Sequence, residues 1–110
     1  MDLPSYQTLK TEIAAPHVLL VTLNRPEVAN ALNTRMGHDF LDLWTRLTED
    51  AGEVRCVVLT GAGDRVFCAG ADLKERNGMT REQWRRQHEL FERHYWAMTD
   101  LPLPVIAAVN

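Results

Sequence analysis

Two short apolar runs limit what this chain can fold into. Val18–Leu23 (VLLVTL) and Val54–Thr60 (VRCVVLT) lack the regular polar–apolar alternation of a strand with one wet face. Runs of this length, rich in Val and Leu, read as strands buried on both faces, as in a parallel sheet covered by helices. Between them Met36, Phe40, Leu43, Trp44 and Leu47 fall on one helical face, with Asn33 placed to cap the helix and Gly52 to stop it. That pattern predicts a helix over 34–50. Upstream, Tyr6–Ala14 alternates loosely, with Leu9 and Ile13 against Lys10 and Glu12, and Pro16 divides it from the second strand. A hairpin follows from that arrangement.

The second half repeats the logic. Thr80 and Gln83 form a capping box, predicting a helix on which Trp84, His88, Phe91, Tyr95 and Met98 share a face. Glu82–Arg86 and Glu89–Arg93 stand at i, i+4 and support it as ion pairs. Pro102 and Pro104 end the helix, and Val105–Val109 reads as one more buried strand. The predicted order is ββ-α-β-α-β, an α/β class in one domain over residues 1–110. No helix follows the last strand to cover the sheet, which looks unfinished.

Composition removes several chemistries. Net charge is −3 with a pI near 5.7, a poor balance for nucleic acid or an acidic membrane surface. No apolar run approaches the ~20 residues of a membrane span, and the N-terminus lacks the basic and apolar regions of a secretory signal. Cys56 and Cys68 form no C-x-x-C pair and read as reduced thiols of a cytoplasmic protein. Ser5 is the only serine, so no serine nucleophile elbow exists. His17, His38, His88 and His94 show no metal-ligand spacing, so no metal site is expected. Gly61-Ala62-Gly63-Asp64-Arg65-Val66 carries Val where a dinucleotide fingerprint needs its third glycine.

The glycine-rich stretch from Gly61 to Asp72 is where chemistry is expected. In parallel α/β sheets, ligands sit beyond the carboxyl ends of the strands. Ala69-Gly70-Ala71-Asp72 has small side chains that let a ligand approach the main chain, and a free N–H there could hold an oxyanion. A tight turn that merely needs small residues has the same composition. Cys68 has no activating partner beside it in sequence and reads as a small packing residue. Glu75, Glu82 and Glu89 read as solvated helix charges, as do Arg81, Arg85 and Arg86.

Phe67-Cys68-Ala69-Gly70-Ala71-Asp72-Leu73-Lys74-Glu75, preceded by Val57-Val58-Leu59-Thr60-Gly61, resembles the enoyl-CoA hydratase/isomerase (crotonase) superfamily. Leu23-Asn24-Arg25-Pro26-Glu27-Val28-Ala29-Asn30-Ala31-Leu32-Asn33 upstream and Leu103-Pro104-Val105-Ile106-Ala107-Ala108-Val109-Asn110 downstream extend the likeness. The resemblance implies a crotonase-like ββα spiral fold, here incomplete, with the chain as the N-terminal part of a single domain. It makes the Ala71 N–H one donor of an oxyanion hole, and puts Ala69, Ala71, Asp72, Leu73 and Lys74 along coenzyme A. Val28 and Ala29 would lie on the other side of that nucleotide. Where relatives carry Lys or Arg for the CoA phosphates, this chain has Glu27 and Ala29.

The same resemblance implies an acyl-CoA thioester substrate, no separate cofactor, and assembly as homotrimers or hexamers. The second oxyanion donor and the catalytic glutamates are expected beyond residue 110. Hydration of a 2-enoyl-CoA to a 3-hydroxyacyl-CoA, in fatty-acid or branched amino-acid breakdown, is the leading expectation. Isomerase, decarboxylase and thioesterase reactions share the same apparatus, and a non-catalytic acyl-CoA or RNA-binding module is the reading from another class. Leu73-Lys74-Glu75-Arg76 with Met79 resembles the methylglutaconyl-CoA hydratase branch.

Overall fold

A computed structural model describes residues 2–110. Strand β1 (Leu9–Ala15) runs antiparallel to β2 (Val18–Leu23). Helix α1 (Thr34–Glu49) crosses to β3 (Cys56–Gly61), which lies parallel to β2. A short helix α2 (Leu73–Asn77) and a long helix α3 (Arg81–Thr99) lead to β4 (Val105–Ala107), parallel to β3. The sheet order is therefore the chain order, β1-β2-β3-β4. This is the expected α/β class, with helical crossovers where parallel strands require them.

The strand limits differ from expectation for identifiable reasons. Residues before Leu9 are drawn off the sheet onto α1: Thr8 donates both its N–H and its hydroxyl to the buried Asp39 carboxylate, at 3.0 and 2.7 Å. Tyr6 donates to Asp42 at 2.9 Å. Val54 is buried but precedes β3, because its N–H closes a turn on the Ala51 carbonyl. Helix α1 begins as expected, with Asn33 Oδ1 accepting from the Met36 N–H at 2.9 Å. The five-residue α2, capped by Asp72, is shorter than the periodicity of side chains can reveal.

One face of α1 meets one face of the sheet, and Leu19, Val21, Met36, Leu43, Leu47 and Val57 are almost wholly buried between them. Helix α3 packs across α1, where Gly37 allows the approach: a Cβ there would stand 2.8 Å from the Phe91 ring.

The packed face of α3 is only partly the expected one: Phe91 lies against Gly37 and Met98 packs against the core. Gln87 and Leu90 are buried, whereas Trp84 and Tyr95 are 44% and 53% exposed. His88 is exposed and pairs with Glu92. The buried face is partly polar, since Gln87 finds partners on α1 and α2 and His94 finds Trp44, which leaves much of the aromatic stripe outside. Glu82–Arg86 forms as expected at 3.3 Å, while Glu89 turns to Arg85 at 3.0 Å rather than to Arg93.

His94 supplies a test of this packing. It stacks on Phe40 with ring centroids 4.6 Å apart, and its Nδ1 accepts from Trp44 Nε1 at 3.0 Å, so the ring is held neutral. Burial pushes its pKa down to about 4, from 6.5 in an open chain. Between those values the unfolded chain takes up a proton that the folded one refuses. Stability therefore falls as pH drops from about 6.5 to about 4 and flattens below, by on the order of 3 kcal/mol in all. Urea midpoints across that range should decline less in His94→Gln, which keeps an acceptor but cannot titrate. Equal slopes in the two proteins would refute the assignment.

Candidate functional site

The loops that leave β2 and β3 lie side by side at the carboxyl ends of the strands. The first, residues 24–33, makes a 3-10 turn at Pro26–Val28 and then takes two successive left-handed residues, Ala29 (φ 56°) and Asn30 (φ 54°). Such conformations cost non-glycine residues on the order of 1–2 kcal/mol each. The buried Asn30 side chain offsets this. Its Oδ1 accepts from the Arg25 N–H at 2.9 Å, and its Nδ2 donates to the Ala62 and Val66 carbonyls at 3.1 and 2.9 Å. One amide thus fastens both loops together.

Backbone bonds continue the seam. The Ala69 N–H reaches the Ala29 carbonyl at 3.0 Å, the Leu32 N–H the Gly70 carbonyl at 2.7 Å, and the Asp72 N–H the Leu32 carbonyl at 3.0 Å. Leu32 and Ala71 form a parallel bridge in which Leu32 bonds the residues on either side of Ala71. In extended backbone, N–H and C=O groups alternate sides. The Ala71 N–H and C=O accordingly point away from Leu32, and the Ala71 N–H makes no hydrogen bond within the described residues. Gly70, at φ +95° with open space where a Cβ would stand, lets the chain turn into this geometry.

Asp72 closes the loop. Its Oδ1 caps α2 by accepting from the Lys74 and Glu75 N–H groups at 3.1 and 3.2 Å, and its Oδ2 meets Arg25 Nη2 at 3.1 Å. The Glu75 N–H foremost, then the Arg25 guanidinium, hold the Asp72 pKa below the usual carboxylate range against the opposing effect of desolvation. Arg25 also donates from Nη1 to the Ala31 carbonyl at 2.6 Å. With its side chain only 17% exposed, Arg25 is a strut within the seam.

Glu75 corrects the expectation of a solvated charge. Its Oε1 accepts from the Thr34 N–H at 2.9 Å, the Thr34 hydroxyl at 3.0 Å and Gln87 Nε2 at 2.6 Å. It therefore ties the start of α1, α2 and α3 together, through partners 41 and 12 residues away that no local pattern announces. Arg76, in turn, donates to Gln87 Oε1 at 3.1 Å.

The expected site residues thus fall along one seam. Val28 and Ala29 are partly buried on the first loop; on the second, Ala69 meets Ala29, while Ala71 and Asp72 meet Leu32; Leu73 and Lys74 are exposed at the start of α2. A concavity of about 440 Å³ lies beside them, floored by Ala29, Asn30, Ala62 and Val66 and flanked by Glu27 and Arg65. Cys68 is a free thiol that packs against the core, as expected. Among the described residues no three His, Cys, Asp or Glu side chains gather into a metal-binding group, and no helix is long and apolar enough to cross a membrane.

Known proteins resemble this chain in sequence and fold. The enoyl-CoA hydratase/isomerase family profile matches residues 14–110. YngF of Bacillus subtilis (strain 168) is 44% identical over 103 residues, covering 94% of this chain and 38% of YngF. The short-chain-enoyl-CoA hydratase of Clostridium acetobutylicum is 40% identical over 93 residues, 84% of this chain and 35% of that protein. The crystal structure of an enoyl-CoA hydratase from Bacillus anthracis superposes with a TM-score of 0.90 at 42% identity, covering 94% of this chain and 40% of that one. The chain spans less than half the length of each of these relatives.

Proposed function

The chain belongs to the enoyl-CoA hydratase/isomerase family, and from that premise we propose that it forms part of an acyl-CoA enzyme that hydrates a 2-enoyl-CoA to the 3-hydroxyacyl-CoA. The observation that carries this reading is the Ala71 N–H, fixed by its neighbours and without a hydrogen-bond partner among the described residues. When water adds at the β-carbon, electron density moves through the α-carbon onto the thioester oxygen. A donor already aimed at that oxygen favours the enolate-like transition state without having to reorganise. In this reading the thioester carbonyl accepts from the Ala71 N–H.

Coenzyme A then lies along the seam, between Val28 and Ala29 on one side and Ala69, Asp72, Leu73 and Lys74 on the other. The small side chains at 29, 69 and 71 support this, because they leave main chain open to a ligand. The second oxyanion donor and the groups that move water's protons are assigned to chain outside these 110 residues. Assembly as a homotrimer or a pair of trimers belongs to the same reading, and the exposed Trp84, Tyr95 and Trp96 support it as apolar surface in need of cover.

The test is an amide titration with the full-length protein. A saturated thioester, butyryl-CoA, should shift the Ala71 N–H, while coenzyme A alone moves only the flanking residues. The same protein should consume the enone absorbance of 2-butenoyl-CoA. An Ala71 amide indifferent to the thioester, or an enone left intact, would overturn the proposal.

A further inference from the structure

We propose that Arg25 is a positioning residue for the oxyanion donor: its guanidinium holds the Leu32–Ala71 bridge shut from both strands and thereby aims the Ala71 N–H. This rests on the function proposed for Ala71. Nη1 donates at 2.6 Å to the carbonyl of Ala31, the residue before Leu32, and Nη2 meets at 3.1 Å the carboxylate of Asp72, the residue after Ala71. One planar group thus spans the two backbone segments whose pairing sets the direction of the Ala71 N–H.

The remaining supports of the bridge are sparse. Ala71 is linked to the first loop only through its neighbours, by the bonds from Leu32 to Gly70 and from Asp72 to Leu32. Gly70, at φ +95°, permits the chain to swing elsewhere. Asp72 is fixed at the head of α2, and α2 is fixed by Glu75 on Thr34 and Gln87. Arg25 is the side-chain link that carries this anchored end back to the first loop. Its own N–H is held by Asn30, so its base is fixed as well. Lysine cannot reproduce the link, since a single ammonium does not offer two separated donors in one plane.

The test uses the full-length protein as Arg25→Gln, Arg25→Lys and Asp72→Asn, with the Arg25→Gln/Asp72→Asn double variant. Misaiming a catalytic group by about 1 Å costs on the order of 100-fold. We expect kcat on 2-butenoyl-CoA to fall about 10- to 100-fold in Arg25→Gln while KM changes only a few-fold. The double variant should be little slower than either single one, and the free Ala71 amide signal should shift in Arg25→Lys, which keeps the charge and preserves folding. Additive losses, or a KM that rises as kcat falls, would assign Arg25 to binding and overturn the inference. So would an Ala71 signal unchanged in Arg25→Lys. Failure of the wild-type protein to turn over the enone, or to answer the thioester at Ala71, would instead strike the proposed function. Wild-type success combined with an Arg25 series of normal kcat would strike this inference alone.

Discussion

Replacing Trp44 by alanine should cost about 3–5 kcal/mol, the range for removing a fully buried large aromatic side chain. Trp44 has 0% exposure and belongs to the buried core, stacking on Phe40 with ring centroids 5.6 Å apart. Its indole N–H is also the partner of His94 Nδ1 on α3. Truncation therefore leaves a cavity, frees one face of Phe40 and orphans a buried acceptor at once. At about 4–8 °C per kcal/mol for a chain of this size, thermal unfolding should move down by more than 10 °C. Trp44→Phe separates the contributions: it retains a stacked ring and loses only the hydrogen bond and some volume, for about 1–2 kcal/mol. It should also allow the His94 pKa to rise, because Nδ1 becomes free to take a proton. Chemical denaturation of both variants checks this; a Trp44→Ala loss below 1 kcal/mol would mean that α3 does not pack on α1 as described.

The second large effect is catalytic. Ala71→Pro removes the N–H proposed to hold the thioester oxygen, and should lower kcat on 2-butenoyl-CoA by about 100- to 1,000-fold in the full-length protein. The substitution is unusually clean here. The seam uses the Gly70 carbonyl and the Asp72 N–H, so proline at 71 breaks no hydrogen bond of the fold. The residue before it is glycine, which tolerates a following proline better than other residues do. Ala71→Ser keeps the N–H and serves as the control for crowding. A proline variant that melts like the parent and retains full turnover would remove Ala71 from the chemistry.

Where local chemistry decides an element, the sequence was enough. The Asn33 cap and the Thr80–Gln83 box are satisfied by residues within a few positions, and the apolar runs mark β2 and β3, although their pairing spans 38 residues and β2 buries only alternate positions. The face of α3 follows the apolar periodicity at Phe91 and Met98 but departs from it elsewhere, because its burial depends on polar pairs across long separations. Gln87 meets Thr34 and Glu75, and His94 meets Trp44, so two polar residues go inside while Trp84 and Tyr95 stay out. Glu75 was misjudged for the same reason. The seam itself was only half legible. Both loop motifs stand out by composition, yet the left-handed turn at Ala29–Asn30, the Asn30 clamp and the Arg25–Asp72 link exist only once residues some 30 to 50 apart meet. What the motifs could not supply was their pairing.

That sheet order follows chain order has a consequence for how the molecule is made. Every strand lands beside the one synthesised just before it, so the growing edge never waits for a later strand to be inserted within. All of the core cluster except Leu101 lies between Leu9 and Val57. A nascent chain emerging from the ribosome as far as β3 already holds β1, β2, α1 and nearly all the side chains that exclude water. Synthesis and collapse can proceed in the same direction, with the loops of the seam free to meet before α3 has emerged.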